Sequence, residues 1–147
     1  MKETVLISAC LLGVRCRYDG KSVPQEAVCR LAEKYQLIPV CPEQLGGLST
    51  PRAPSERRDG GVFTNAGLDV TEAYRRGAEE ALRLAKLFGC KRAVLKERSP
   101  SCGSGRIYDG SFSGALTEGD GVTAALLKRN GIVVYGESAL EALLSEA

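Results

Sequence analysis

Residues 4–9 are apolar or β-branched almost throughout, the pattern of a short strand covered on both faces. A loop with Gly13 and Tyr18-Asp19-Gly20 follows. Apolar positions then take helical spacing at Ala27, Val28, Leu31 and Ala32, which predicts a helix over 25–35 with Pro24 at its start. Residues 37–40 read as a second strand. From 42 to 70 regular patterning stops: Pro42, Pro51 and Pro54 and the pairs Gly46-Gly47 and Gly60-Gly61 break it, with a small hairpin expected around 65–67. The clearest helix is 71–88, with Asp69 as expected N-cap, Glu72 at capping-box spacing and an apolar face of Ala78, Ala81, Leu82 and Ala85. Residues 92–95 form a third strand, and a polar turn over 96–103 follows. Asp109-Gly110 marks a hairpin tip within 105–114. Asp120 is the expected cap of a helix over 121–130, residues 132–135 form a fourth strand, and Ser138 with Glu141 opens a terminal helix.

Strands alternating with helices predict an α/β fold: a Rossmann-like open, mostly parallel sheet with helices on both faces, plus small hairpin insertions. At 147 residues with 44% hydrophobic content, the chain reads as one domain over 1–147 with a core of its own. No stretch approaches the roughly 18 apolar residues of a membrane span. Twenty basic against 18 acidic residues gives a net charge of +2, which makes no case for a nucleic-acid polymer as partner.

The count that narrows the chemistry most is zero histidines. Ser-His, Cys-His and His-metal sites are excluded together, so proton transfer near neutral pH falls to Asp, Glu, Lys, Tyr, Cys or a metal-bound water. Six cysteines in 147 residues is below the density of a disulfide scaffold. Ile7-Ser8-Ala9-Cys10 faintly resembles a lipoprotein cleavage site, but the apolar run before it falls short of the roughly 7–15 residues that export needs. The expected compartment is a reducing cytoplasm, where cysteines bind metal, catalyse or fill cores.

Open α/β sheets build their sites outside the carboxyl ends of the strands. Cys10 ends the first predicted strand, Cys41 the second, and Cys102 lies in the turn after the third; Cys16 is in the loop after the first. All four belong to one rim. Cys29 falls inside a helix and Cys90 at the opposite edge, where free cysteine is ordinarily a small apolar residue. Thiolates on a shared rim select zinc, Cu(I) or an iron–sulfur cluster. No paired C-x₂-C spacing of structural zinc and no contiguous ferredoxin spacing occurs. Three thiolates on a four-iron cluster leave one iron open, as catalytic metal sites do. Glu43, two residues beyond Cys41, is the candidate general acid/base. Ser99 and Ser101 beside Cys102 are candidate donors to sulfur or substrate, and Arg17 and Arg52 candidate holders of an anion or ring. A non-catalytic zinc-binding or redox-sensing thiol module is the alternative that uses the same cysteines.

Ser8-Ala-Cys-Leu-Leu-Gly13, Cys16-Arg-Tyr-Asp-Gly20, Pro39-Val-Cys-Pro-Glu43, Gly46-Gly-Leu, Thr50-Pro-Arg52, Leu95-Lys, Ser99-Pro-Ser-Cys-Gly103 and Tyr108-Asp-Gly-Ser-Phe112 together resemble a bacterial family, formerly a domain of unknown function, whose characterised members are thiouracil desulfidases. The resemblance runs along nearly the whole chain. It implies an oxygen-sensitive [4Fe-4S] cluster on three cysteines, for which Cys10, Cys41 and Cys102 are the candidates and Cys16 the fourth contender. It implies a non-redox desulfuration of a small thiolated base such as 2-thiouracil, with the sulfur taken by the open iron and water replacing it on carbon. Glu43 would then be the acid/base, supported by Ser101 or Ser99. Another iron–sulfur sulfur-transfer activity is the neighbouring alternative.

Overall fold

In the computed structural model, which describes residues 2–145, the elements run β1 (Thr4–Ser8), a 3-10 turn (Ala9–Leu12), α1 (Ala27–Lys34), β2 (Gln36–Val40), α2 (Pro42–Leu45), β3 (Ser55–Arg58), β4 (Gly61–Thr64) and α3 (Thr71–Leu87). They continue with β5 (Arg92–Leu95), β6 (Arg106–Tyr108), β7 (Leu116–Glu118), α4 (Val122–Arg129), β8 (Val133–Gly136), a second 3-10 turn (Glu137–Ala139) and α5 (Leu140–Ser145). Four strands form a sheet of order β2-β1-β5-β8, and every pairing is parallel. The alternation of β1 feeds two cores. Val5 and Ile7 pack with Leu31 of α1 and Leu140 and Leu143 of α5. Leu6 packs with Ala85 of α3 and Ala124 and Leu127 of α4 on the other face. The expected α/β architecture with helices on both faces is the one observed. No helix among the described residues is long and apolar enough to cross a membrane.

The sheet order decides where a site forms. The chain leaves β1 for β2 on one side and returns to place β5 on the other. The loops after β1 and β5 therefore diverge and open a crevice at the topological switch point.

Several local expectations are corrected. The first hairpin turns at Asp59-Gly60, not at 65–67: Asp59 (φ 51°) and Gly60 (φ 81°) are both left-handed, as a type I′ turn requires, and β3 pairs with β4 across them. Residues 65–67 do turn, with Gly67 N–H donating to Thr64 O at 2.9 Å, but they serve only an isolated bridge between Phe63 and Asp69. Asp109-Gly110 is not a two-residue tip; the whole loop 109–115 joins β6 to β7. Two expected caps do other work. Asp120 accepts from Gly105 N–H (2.8 Å) and Lys128 Nζ (2.9 Å), and Gly121 holds the cap position of α4. Ser138 donates both its N–H and its hydroxyl to Glu97 across the sheet end, so α5 starts after a 3-10 turn. The expected N-cap Asp69 lies one residue too early: Val70 holds the cap position of α3, Asp69 accepts from Thr71 N–H at 2.9 Å, and Glu72 pairs with Arg75 and does not close a capping box. The predicted irregular stretch opens with α2, whose Pro42 fits the first turn of a helix.

One contact seats α2. A Cβ on Gly77 of α3 would lie 1.8 Å from Pro42 O, and one on Gly46 would lie 2.0 Å from Ala73 O. Only glycine lets the two backbones meet. Gly77→Ala should therefore cost about 1–3 kcal/mol through overpacking. Thermal melting, at roughly 2–4 °C per kcal/mol for a chain of this size, should show a drop of several degrees.

Candidate active site

The crevice encloses a cavity of about 440 Å³ whose lining includes Cys10, Cys16, Cys41 and Cys102. Each arrives by a different route. Cys10 lies in the 3-10 turn directly after β1, and Cys16 in the loop that follows. Cys41 ends β2 in the cap position of α2. Cys102 lies in the turn after β5. All four are free thiols; Cys10, Cys16 and Cys102 are buried and Cys41 is half-buried. Cys29 is exposed on α1, and Cys90 is buried before β5, away from the cavity.

Three of these thiols, Cys16, Cys41 and Cys102, are biased toward the protonated form. Cys41 is raised well above the usual thiol range by its hydrogen bond with Cys16 and by burial. The bond with Cys10 raises Cys16 in turn. Burial pushes Cys102 up to about 12, against the lowering effect of hydrogen bonds from Ser8 and Ser101. Redox-sensing thiols are solvent-accessible, whereas three of these four are buried, which does not favour the redox-sensing alternative. Among the described residues no group of three or more Cys, Asp or Glu is arranged to hold a metal ion.

Glu43 reaches the same cavity from the first turn of α2. Its Oε1 accepts from Arg52 Nε at 2.9 Å and from Tyr74 OH at 2.9 Å. Both donors take one oxygen, which leaves Oε2 without a protein donor among the described residues. Arg52 also donates to Cys16 O (2.9 Å), Ser49 O (3.0 Å) and Thr50 Oγ1 (2.9 Å). Burial works against its charge, but the attraction of Glu43 prevails and its pKa is raised. Arg52 is thus a clamp between the Cys16 loop and α2, its guanidinium committed to protein groups. Tyr74, 2% exposed on α3, keeps its phenol proton because burial and then Glu43 oppose ionisation.

Residues 5–139 match the family model described as 2-thiouracil desulfurase. The chain belongs to the 2-thiouracil desulfurase family. It is 49% identical to the solved [4Fe-4S]-dependent thiouracil desulfidase TudS, with a TM-score of 0.91 over 97% of this chain and 95% of that one. It is also 44% identical to the uncharacterized protein YbbK of Bacillus subtilis (strain 168), over 95% of this chain and 99% of the relative.

Within this family frame the two candidate serines part company. Ser99 lines the cavity, and its Oγ accepts from the N–H groups of Ser101 and Cys102, both at 3.1 Å, fixing the turn that carries Cys102. Ser101 does not line the cavity. It is 1% exposed and shares a hydrogen bond of 2.8 Å with Thr123 of α4, and its other contact is the Cys102 thiol. Arg17 lies at the cavity wall, its guanidinium 5.6 Å from the Tyr18 ring and 3.8 Å from Asp19.

Sequence reasoning passed over Ser8 and Tyr74. Ser8 Oγ accepts from Lys96 N–H at 2.9 Å and has its proton left for Cys102, which ties the ends of β1 and β5 together beside the thiol. Ser8 had one sequence signal, a lone hydroxyl at the end of an apolar strand before Cys10. Tyr74 had none, since an aromatic in a helix's first turn reads as core.

Proposed function

We propose that this chain is an enzyme that removes sulfur from a thiolated pyrimidine base such as 2-thiouracil, using a [4Fe-4S] cluster held by Cys10, Cys41 and Cys102. One observation carries the reading: thiols from three separate strand ends and a clamped carboxylate line one cavity at the switch point. Family membership and the likeness to a [4Fe-4S]-dependent thiouracil desulfidase support it.

The residues fit the cluster. Four free thiols, three buried and one half-buried, on one cavity suit a cofactor whose metal charge deprotonates its ligands. Ser8 and Ser101 would donate to the Cys102 sulfur, and hydrogen bonds to ligand sulfurs tune such clusters. When bound, a cluster with one iron free of protein thiolate supplies a sulfur-accepting Lewis acid.

The rest of the chemistry falls to the chain. In the net reaction, water oxygen replaces sulfur on the ring carbon and sulfide leaves, with no electron exchanged. The attacking water must lose a proton. Three carboxylates line the cavity, Glu43, Glu56 and Glu97. Glu56 braces the 109–115 loop and Glu97 holds Ser138, while Glu43 lies two residues beyond the Cys41 thiol and takes the base role. Arg52 and Tyr74 hold that carboxylate in one orientation, so its geometry is set before substrate enters. The cavity suits a small molecule, not a polymer, and free thiols and an exposed cluster iron belong in a reducing cytoplasm.

Protein purified anaerobically should release uracil and sulfide from 2-thiouracil. That activity should fade in air and return on anaerobic reconstitution with iron and sulfide. Full activity in an iron-free preparation would overturn the cofactor assignment.

A further inference from the structure

Two non-glycine residues that line the cavity have a left-handed backbone, Arg98 (φ 67°) and Phe112, and the second lies in the loop 109–115. Phe112 has φ 56°, a left-handed conformation that a bulky side chain seldom adopts. Gly110 (φ 94°) and Gly114 (φ 84°) flank it. The loop is braced from outside: Glu56 of β3 places one carboxylate oxygen, Oε1, 3.0 Å from Gly110 N and 3.1 Å from Phe112 N. It is also braced from within by Asp109 N–H on Ala115 O (3.1 Å) and by the Asp109–Ser111 and Ser111–Ser113 bonds. A Cβ on Gly110 would lie 2.8 Å from Arg57 O, so the loop sits directly on β3. The result of this bracing is that Phe112 lines the cavity together with Tyr108.

A costly backbone conformation persists only where the surroundings impose it, and such positions gather at ligand clamps. We propose that Phe112 is the platform on which the substrate's pyrimidine ring stacks, and that Glu56 is the positioning residue that holds it there. The inference rests on the desulfidase reading for the identity of the ring. A planar, electron-poor heterocycle gains most from an aromatic face of fixed orientation. Phe112 has no hydroxyl to compete for the ring's polar edge, which is left to the polar groups of the cavity. Tyr18, 40% exposed beside Arg17, lies at the mouth.

Three variants test this. Glycine accepts the left-handed backbone without strain, so Phe112→Gly should keep iron content and kcat. It should raise KM for 2-thiouracil by roughly 5- to 150-fold, the span of base–aromatic stacking. Glu56→Ala should raise KM likewise, and Glu56→Gln, which keeps a carbonyl oxygen for both N–H groups, should restore it. The chain has no tryptophan, so Phe112→Trp adds a sole indole that can be excited apart from the five tyrosines, and its emission should be quenched on titration with uracil. An unchanged KM in Phe112→Gly would overturn the proposal. Should that variant fail to fold, absence of quenching by uracil in Phe112→Trp would overturn it instead. Wild-type protein that releases no sulfide from 2-thiouracil would refute the desulfidase reading, while the quenching experiment, which needs no turnover, would still decide the platform.

Discussion

Glu43→Gln should lower kcat by roughly 10²- to 10⁴-fold, the usual worth of a positioned proton transfer, while iron content and the cluster's visible absorbance stay at the wild-type level. The chain contains no histidine, so no imidazole shares the work. Glu43 is two residues beyond Cys41, its side chain is 16% exposed, and Arg52 and Tyr74 both hold Oε1. Glutamine keeps the shape and can still accept those two bonds through its carbonyl oxygen. What it loses is the ability to take a proton. Measuring turnover and iron together separates three roles. An acid/base loses turnover alone, a ligand loses iron as well, and a bystander loses neither. Wild-type turnover in Glu43→Gln would remove Glu43 from the mechanism.

Cys10→Ser, Cys41→Ser and Cys102→Ser should each lose most of the bound iron, whereas Cys29→Ala and Cys90→Ala should keep it. Serine is close in shape but is a poor ligand for a metal that prefers soft thiolate. The three predicted ligands line the cavity, while Cys29 is exposed on α1 and Cys90 lies away from it. Cys16→Ser is the discriminating variant. Its thiol bonds to those of Cys10 and Cys41, and its carbonyl accepts from Arg52 and from the Cys41 thiol at 3.7 Å. We expect Cys16→Ser to retain iron. Iron lost from Cys16→Ser but retained in one of the other three would reassign the ligand set. Iron analysis after anaerobic reconstitution reads all six variants.

Much of the site was legible in the chain because buried parallel strands announce themselves. Short apolar runs end abruptly, and the residue after each end lies on a known rim. Hence Cys10, Cys41, Cys102 and Glu43 were placed from sequence, and the structure brings them to one cavity. The hairpins were less legible. Asp59-Gly60 and Asp109-Gly110 are both turn signals, yet only the first is a two-residue tip, because Glu56 draws the second into a longer loop from 54 residues away. The caps failed for the same reason: Asp120 and Ser138 found stronger partners in distant segments, Gly105 and Glu97.

By itself the sequence determined the element order, the parallel α/β sheet, the absence of imidazole chemistry and the edge on which the thiols gather. These follow from local periodicity and from a topological rule that depends on strand direction alone. Only the tertiary structure decided which side chains serve the cavity. Tyr74 reaches Glu43 across 31 residues, Lys96 reaches Ser8 across 88, and Ser101 turns to Thr123 instead of the cavity. Each of those choices is made by the packing of two elements, such as the glycine contact between α2 and α3. No local pattern encodes the distance between them.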